Sequence, residues 1–331
     1  MEKAELLKNL PDLLIEKKVL WFLGSGTSAP GMPLLSDFPD SKAGYDSGRL
    51  LAEIVRRNKI LLSGRSIRKH RSSSVTIDRV IKSRDSYISF LETVLSTLNE
   101  TNSRQAHKST DIFTTNYDLF IEYAADSLLR QNYRFVFNDG SRGYFLDTLD
   151  SSNFDTTTAY KGRFDNYVNE IPSINLIKPH GSVNWEKSSK NEILIYKGVR
   201  ENPELVSPDG SEPSNTVLKR HFYEMFRYFE YEVSKPETVI IVHGFSFGDK
   251  HILSMFNRAL ENSGLLLIIF AYTDDAANEI KHKFRGSYRN LYVISPADFS
   301  TKSILVGVGK KAKNHLDLLQ LNNIIAHGTM I

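Results

Sequence analysis

Four short polar segments hold the residue types in this chain that could do chemistry. They read GSGTS at 24–28, TNYD at 115–118, KPHGS at 178–182 and HGFSFGD at 243–249. A histidine whose pKa lies near neutrality can take a proton from a hydroxyl group or a water molecule. A carboxamide such as that of Asn116 can hold the same groups without adding a charge. A glycine-rich turn after a strand often binds a phosphate group, so the segments predict a binding site for a ligand that carries phosphate.

Each segment directly follows an apolar run that predicts a buried β-strand. The four runs are Val19–Leu23, Asp111–Thr115, Ile174–Ile177 and Thr238–Val242. The last third of the chain alternates strand and helix, which is typical of a parallel sheet. Ligands of such sheets bind outside the carboxyl ends of the strands. We therefore predict an α/β fold with a Rossmann-like, doubly wound parallel sheet, and expect the four segments to meet at one edge of it.

The spacing of apolar residues also predicts how the chain is divided. Arg49–Ile60 and Val75–Leu98 have helical spacing, and we expect them to form a smaller subdomain inserted into the main fold. The basic cluster Arg65–Arg71 between them predicts a solvated loop. The predicted divisions are a helical lead-in at 1–18, a main domain at 19–300, a helical insertion within it at about 30–108, a loop insertion at about 139–172, and a C-terminal helix and tail at 301–331.

Composition excludes several classes of protein. The chain has 331 residues and no cysteine, which excludes disulfides, thiol catalysis and cysteine zinc sites. A net charge of +3 gives no ground for direct nucleic-acid binding. The charged N-terminus lacks the apolar core of a signal peptide, and no apolar run approaches the roughly 18 residues of a membrane span. We expect a cytoplasmic protein that does not bind membranes.

The glycine turn does not fit the common nucleotide-binding loops. Gly24–Ala29 matches the dinucleotide pattern G-x-G-x-x-[GA], but Pro30, Gly31 and Pro33 prevent a helix from following directly. No second strand follows at the distance that a dehydrogenase needs, and no Gly-Lys-Ser/Thr follows as in a Walker A loop. We therefore expect a phosphate contact in a different arrangement.

In this order, the four segments resemble the motifs of the sirtuin family and its NAD-consuming bacterial relatives. GSGTSAPGMPLLSDF resembles the family's G-A-G-x-S loop with its trailing P-D-F, and TTNYD resembles its T-Q-N-x-D. KPHGSVNW resembles the segment that holds the catalytic H-G, and HGFSFGDKHI resembles the later G-x-S loop of prokaryotic members. The resemblance runs from about Val19 to Thr273 and implies that the main domain binds NAD⁺.

The resemblance also implies roles for individual residues. His180 would be the general base, and Asn116 and Asp118 would complete the catalytic set by holding the ribose next to the nicotinamide. The remaining residues would bind NAD⁺ itself, and the resemblance implies no metal. These NAD⁺-binding residues are Gly24, Ser25, Gly26, Thr27, Ser28, Asp37, Phe38, Thr115, Gly244, Ser246, Asp249 and Tyr272.

Departures from the family pattern narrow the predicted activity. Protein-deacylating sirtuins usually carry a four-cysteine zinc module, whereas this chain has no cysteine. The arginine that follows their P-D-F is replaced here by Pro39. Both differences favour the prokaryotic branch that hydrolyses NAD⁺ as an effector of antiphage defence. The stretch PSNTVLKRHFYEMFRYFE resembles stand-alone subunits that assemble with a HerA-type ATPase. We therefore expect an NAD⁺ glycohydrolase that forms a homo-oligomer and works with such a partner.

Alternatives remain open at this stage. A non-catalytic module that binds NAD⁺ or ADP-ribose would use the same segments, and a protein deacylase is a further alternative. Single residues also have structural explanations: Asp118 and Asp249 each precede a predicted helix and could cap it, and His243 is expected to be packed within a strand. The aromatic residues in Phe222–Tyr231 are expected to form helix core or an oligomer contact.

Overall fold

A computed structural model describes residues 2–40, 44–63, 74–101, 108–160, 169–207, 220–284, 286, 288–299 and 315–327. The predicted loop at Arg65–Arg71 and the first residues of the stretch PSNTVLKRHFYEMFRYFE lie outside these residues.

The centre of the fold is a seven-stranded sheet in which every neighbouring pair is parallel. Its strands, numbered in chain order, are β1 Lys18–Leu23, β2 Ser109–Thr114, β3 Val136–Asn138, β4 Ser173–Ile177, β5 Thr238–His243, β6 Leu266–Phe270 and β7 Leu291–Ile294. The spatial order is β7-β6-β5-β1-β2-β4-β3. This confirms the prediction of a Rossmann-like α/β fold.

Helices cover both faces of this sheet. They are α1 Lys3–Lys8, α2 Leu10–Glu16, α3 Ser25–Ser28, α4 Ser47–Leu62, α5 Ser74–Glu100, α6 Phe120–Arg130, α7 Arg220–Ser234, α8 Lys250–Ala259, α9 Asp274–Lys283 and α10 Leu318–His327. The α1, α2, α4, α5, α6 and α10 helices pack on one face, and α7, α8 and α9 pack on the other. The strands read as continuous apolar runs because alternate residues face the two cores: Trp21 of β1 faces the first and Phe22 the second.

The helical insertion shares the first core instead of forming one of its own. Buried residues of α4 and α5 belong to the same apolar cluster as the sheet. Phe90 of α5 meets Trp21 of β1 edge to face, with ring centroids 5.1 Å apart. The helical insertion is therefore packed directly onto the sheet.

The loop insertion contains short strands that the sequence did not predict. Ser141–Arg142 and Thr148–Leu149 pair in a small antiparallel sheet whose other strands are Ile193–Ile195 and Trp185–Lys187. Strands of two or three residues are too short to show an alternating pattern. Two-stranded hairpins join Ala159–Tyr160 to Asn169–Glu170 and Pro39–Asp40 to Gly44–Tyr45, and 3₁₀ turns lie at Leu35–Asp37, Ser151–Asp155 and Pro296–Asp298.

The order of the strands places a crevice between β1 and β5. From β1 the chain continues to β2 on one side, whereas from β5 it continues to β6 on the opposite side. Open parallel sheets bind ligands beyond the carboxyl ends of two strands that diverge in this way. We therefore expect a ligand-binding site at the loops that follow β1 and β5.

Candidate active site

The loops after β1 and β5 touch through their glycines. Gly24 N donates to His243 O at 2.9 Å, and Gly26 N donates to Gly244 O at 2.8 Å. Gly244 has φ +66°, and a Cβ atom on it would overlap Thr27 N and lie 2.7 Å from the carbonyl carbon of Gly26. Only glycine allows two backbones to approach so closely in this conformation.

His243 ties the first loop to the C-terminal segment. Its Nδ1 lies 3.0 Å from Thr27 Oγ1, and its Nε2 lies 3.3 Å from Leu316 O. Burial lowers the pKa of His243 to about 4, so the ring is neutral near pH 7. The packed position is the one expected from the sequence, and His243 holds loops together.

Asn116 joins the loop after β2 to the loop after β1. Its side chain is buried, and Nδ2 donates to Gly24 O at 3.0 Å and to Ser28 Oγ at 3.1 Å. Because both bonds use the amide nitrogen, the orientation of the amide is set. The other amide atom, Oδ1, is buried and has no hydrogen-bond partner. A buried acceptor of this kind suits a donor on a ligand or a water.

Asp118 contacts both the start of α6 and the loop after β1. Its Oδ1 accepts from Phe120 N at 3.2 Å at the start of α6, and its Oδ2 accepts from Ser28 Oγ at 2.7 Å. Burial raises the pKa of Asp118, while the nearby Lys178 ammonium opposes that shift. The carboxylate therefore accepts from the first residue of α6 and also anchors Ser28, while its role toward the ribose stays a prediction.

Two residues of this region were missed by the sequence analysis. Tyr87 of α5 is fully buried and places its hydroxyl 2.8 Å from Ser28 Oγ. Lys178 is also buried, and its Nζ donates to Asp118 O at 2.6 Å, Ser182 Oγ at 2.7 Å and Glu122 Oε1 at 2.9 Å. Helical spacing marked Tyr87 as a core residue only. Lys178 stands inside a motif, and its place beside His180 was the available signal.

His180 faces the loop after β5. The ring is buried, and Nε2 lies 3.7 Å from Asp249 Oδ2 without a hydrogen-bond partner. Burial lowers the pKa of His180 to about 4; the Asp249 carboxylate opposes this shift and His251 adds to it. The other oxygen of Asp249 accepts from His251 N at 2.8 Å and from Ile252 N at 3.2 Å, so Asp249 also caps α8 as expected.

Backbone contacts connect the loop after β4 to the loop after β2. Val183 N donates to Tyr117 O at 3.0 Å. Val206 bridges the same two loops, because its N donates to His180 O at 2.9 Å and its O accepts from Tyr117 Oη at 2.6 Å. Hydrogen bonds thus link the loops 243–249, 24–28, 115–119 and 178–184 in series, and the approach of His180 Nε2 to Asp249 Oδ2 at 3.7 Å closes the circuit. We call these four loops the strand-end ring. The ring includes Asn116, Asp118 and His180.

Other predicted residues have contacts outside the catalytic group. The Asp37 carboxylate accepts from Leu34 N at 2.9 Å, and Phe38 lies beneath the Arg49 guanidinium. Tyr272, at the end of β6, packs on His315 with ring centroids 4.8 Å apart. Ser25 and Ser246 are exposed, and Thr115 is half-buried. The roles of these residues stay predictions.

Two further features are absent from the described ranges. There, no three or more histidine, aspartate or glutamate side chains are grouped so as to hold a metal ion. In the same part of the chain, no helix combines the length and the apolar character needed to cross a bilayer.

Comparison with known families identifies the type of domain. A family model described as a SIR2-like domain matches residues 110–296. This range covers the loops after β2, β4 and β5, whereas the glycine turn after β1 lies before it. No curated protein sequence matches the chain. Enzymes of the SIR2-like family are generally NAD-dependent. Because the match spans more than half of the residues, the chain belongs to the SIR2-like domain family.

Proposed function

We propose that this protein hydrolyses NAD⁺ at the bond between nicotinamide and ribose. One observation carries the proposal: two buried polar atoms that have no hydrogen-bond partner, Asn116 Oδ1 and His180 Nε2, belong to the same strand-end ring, as does a third, Asn184 Oδ1. Buried polar atoms are paired in most proteins, so such atoms point to groups that a ligand or water supplies.

The reaction needs little from the protein besides positioning and proton transfer. As the C1′–N bond breaks, its electron pair returns to the ring nitrogen, and the pyridinium cation becomes neutral nicotinamide. Positive charge develops on the ribose, as it does in glycoside hydrolysis. A water oxygen bonds to C1′, and the water loses a proton. The products are nicotinamide, ADP-ribose and one proton.

Asn116 is suited to hold the ribose or the water. Its Oδ1 accepts a hydrogen bond without placing a second full charge beside the developing cation. The bonds from Nδ2 to Gly24 O and Ser28 Oγ keep the amide from rotating. Such fixed orientation removes part of the barrier before the reaction begins.

His180 is suited to take the proton. Burial lowers its pKa to about 4, so the imidazole is neutral at pH 7 and has a lone pair that can accept a proton, although the same burial makes it a weaker base than an exposed histidine. The Asp249 carboxylate, 3.7 Å away, stabilises the imidazolium that forms. His180 then returns the proton to solvent.

We also propose that the activity serves antiphage defence, in a cytoplasmic homo-oligomer that assembles with a HerA-type ATPase. The support for this part of the proposal is the resemblance of the sequence motifs. Depletion of NAD⁺ by an uncontrolled enzyme would harm the cell, so control by assembly fits such an effector.

Release of nicotinamide from NAD⁺ tests the proposed activity. The purified protein is assayed alone and with the product of the neighbouring gene. The wild type should release nicotinamide, and Asn116→Ala and His180→Ala should abolish the release. His327→Ala, on the exposed last residue of α10, is the matched control and should retain wild-type activity. Failure of the wild type in both settings, or full activity of the double variant, contradicts the proposal.

The same preparation separates the alternatives. Saturable binding of NAD⁺ or ADP-ribose without turnover would indicate a regulatory binding module. Removal of an acetyl group from a peptide in the presence of NAD⁺ would indicate a deacylase.

A further inference from the structure

Tyr87 lies within α5, in a part of the chain that none of the four motifs covers. Its ring is fully buried and stacks on Phe120 of α6, with centroids 5.2 Å apart and planes 14° apart. A phenylalanine would stack in the same way and would bury no hydroxyl group. The hydroxyl instead reaches Ser28 Oγ of the strand-end ring at 2.8 Å. Packing therefore explains the ring of Tyr87 but not its hydroxyl.

The hydrogen atoms around Ser28 set the direction of that bond. Ser28 Oγ lies 2.7 Å from Asp118 Oδ2 and 3.1 Å from Asn116 Nδ2. A hydroxyl has one hydrogen and two lone pairs, a carboxylate only accepts, and an amide nitrogen only donates. Ser28 therefore gives its hydrogen to Asp118 and accepts from Asn116. One lone pair remains, and Tyr87 must be the donor to it.

The hydrogen bonds of Ser28 also fix the side-chain amide of Asn116. Asn116 Nδ2 keeps its bond to Ser28 only while the serine lone pair points toward it. The donor from Tyr87 and the acceptor from Asp118 together leave the serine hydroxyl no other orientation. Because Nδ2 is held, Oδ1 is held too, in the orientation that leaves it without a partner.

We propose that Tyr87 is a positioning residue for NAD⁺ cleavage: its hydroxyl fixes Ser28, and Ser28 fixes the amide of Asn116. The inference rests on the proposed function for the reaction that it names, whereas the hydrogen-bond geometry does not depend on that function. The proposed role connects the helical insertion to the catalytic site, because Tyr87 of α5 supplies the hydrogen-bond donor to Ser28.

Tyr87→Phe tests the proposal by removing the hydroxyl and keeping the stacked ring. We expect kcat to fall about tenfold, the effect of one lost hydrogen bond, with KM changed by less than about twofold. Tyr228→Phe is the matched control because its hydroxyl meets a carboxylate outside the ring, Asp111 at 3.4 Å, and it should keep wild-type kcat. In a Ser28→Ala background, Tyr87→Phe should have a smaller effect than in the wild type, because Tyr87 acts on Asn116 through Ser28 as well as through its own contact with the Asn116 side chain.

A second measurement needs no turnover. The side-chain amide signal of Asn116 in a ¹⁵N spectrum, assigned by its loss in Asn116→Ala, should shift or broaden in Tyr87→Phe and not in Tyr228→Phe. If Tyr87→Phe does not fold, Ser28→Ala takes its place in the measurement, and the Asn116 amide signal must shift in that variant. An unchanged Asn116 signal overturns the proposal, as does wild-type kcat in Tyr87→Phe or an additive effect with Ser28→Ala. If the wild type does not cleave NAD⁺, the proposed function fails, and the amide signal still decides the role of Tyr87.

Discussion

Gly244→Ala should separate the loops after β1 and β5. Gly244 has φ +66°, and an added methyl group would overlap the backbone nitrogen of Thr27. Because the obstacle is backbone, no side-chain rotation can relieve it. The two loops must move apart, and the bond from Gly26 N to Gly244 O, now 2.8 Å long, must lengthen or break.

The size of the effect follows from these contacts. The left-handed conformation costs a residue with a Cβ atom about 1–2 kcal/mol. Loss of one or two hydrogen bonds between the loops adds about 0.5–1.5 kcal/mol each. We therefore expect the free energy of unfolding to fall by about 1.5–5 kcal/mol. A displacement of about 1 Å at a catalytic site can lower the rate about a hundredfold, so activity should fall further than stability suggests.

Urea unfolding of the wild type and the variant measures the first effect, and nicotinamide release measures the second. Gly198→Ala is the matched control, because a Cβ atom on Gly198 would meet no atom within 4 Å. It should change the free energy of unfolding by less than about 0.5 kcal/mol. If the two variants unfold at the same urea concentration, the close approach of the β1 and β5 loops is refuted.

Three further predictions concern buried charges. The pKa of His243 is lowered from 6.5 to about 4, so the unfolded chain binds a proton first as the pH falls, and up to about 3 kcal/mol of stability is lost between those pH values. Urea unfolding across pH 4.5–7.5 should therefore show that the free energy of unfolding depends less on pH in His243→Gln than in the wild type. The same pH dependence in both proteins would contradict this prediction. Lys178→Met leaves the partly buried Glu122 without its cation and should lower the free energy of unfolding by about 3 kcal/mol. Stability should recover in part in Lys178→Met/Glu122→Gln, and the exposed control Lys190→Met should show no loss. Since the pKa of His180 is about 4, kcat/KM for NAD⁺ should stay level from pH 8 to pH 6 and fall toward pH 4; a fall centred near pH 6.5 would show that burial does not hold the ring neutral.

The sheet and the meeting of its four loops could be predicted because their signals are local. Strands such as β5 and β6 are short, continuous apolar runs, and each of the four loops starts with glycine or polar residues where such a run stops. A parallel sheet then brings the carboxyl ends together whatever the details of packing. Asn116 and His180 stand directly after strands, so their placement followed from the fold class.

The contacts that orient the site could not be predicted in the same way. Tyr87 reaches Ser28 across 59 positions of sequence, from a helix whose spacing marks only which residues are buried. Lys178 and Glu122 are ordinary charged residues until packing removes water from both. The strands that the loop insertion adds to the small antiparallel sheet were missed because strands such as Thr148–Leu149 have too few residues for a pattern. Side-chain partners that are distant in the chain depend on packing, which spacing does not encode.

The most direct test of the account is the fate of NAD⁺ incubated with the protein in ¹⁸O-labelled water, alone and with the neighbouring gene product. Hydrolysis at C1′ predicts equal amounts of nicotinamide and ADP-ribose, with one solvent oxygen incorporated into the ADP-ribose and none into nicotinamide. Both products should be absent with Asn116→Ala/His180→Ala. Intact NAD⁺ under both conditions, or ADP-ribose formed by the double variant at the wild-type rate, would contradict the claim that the strand-end ring cleaves NAD⁺.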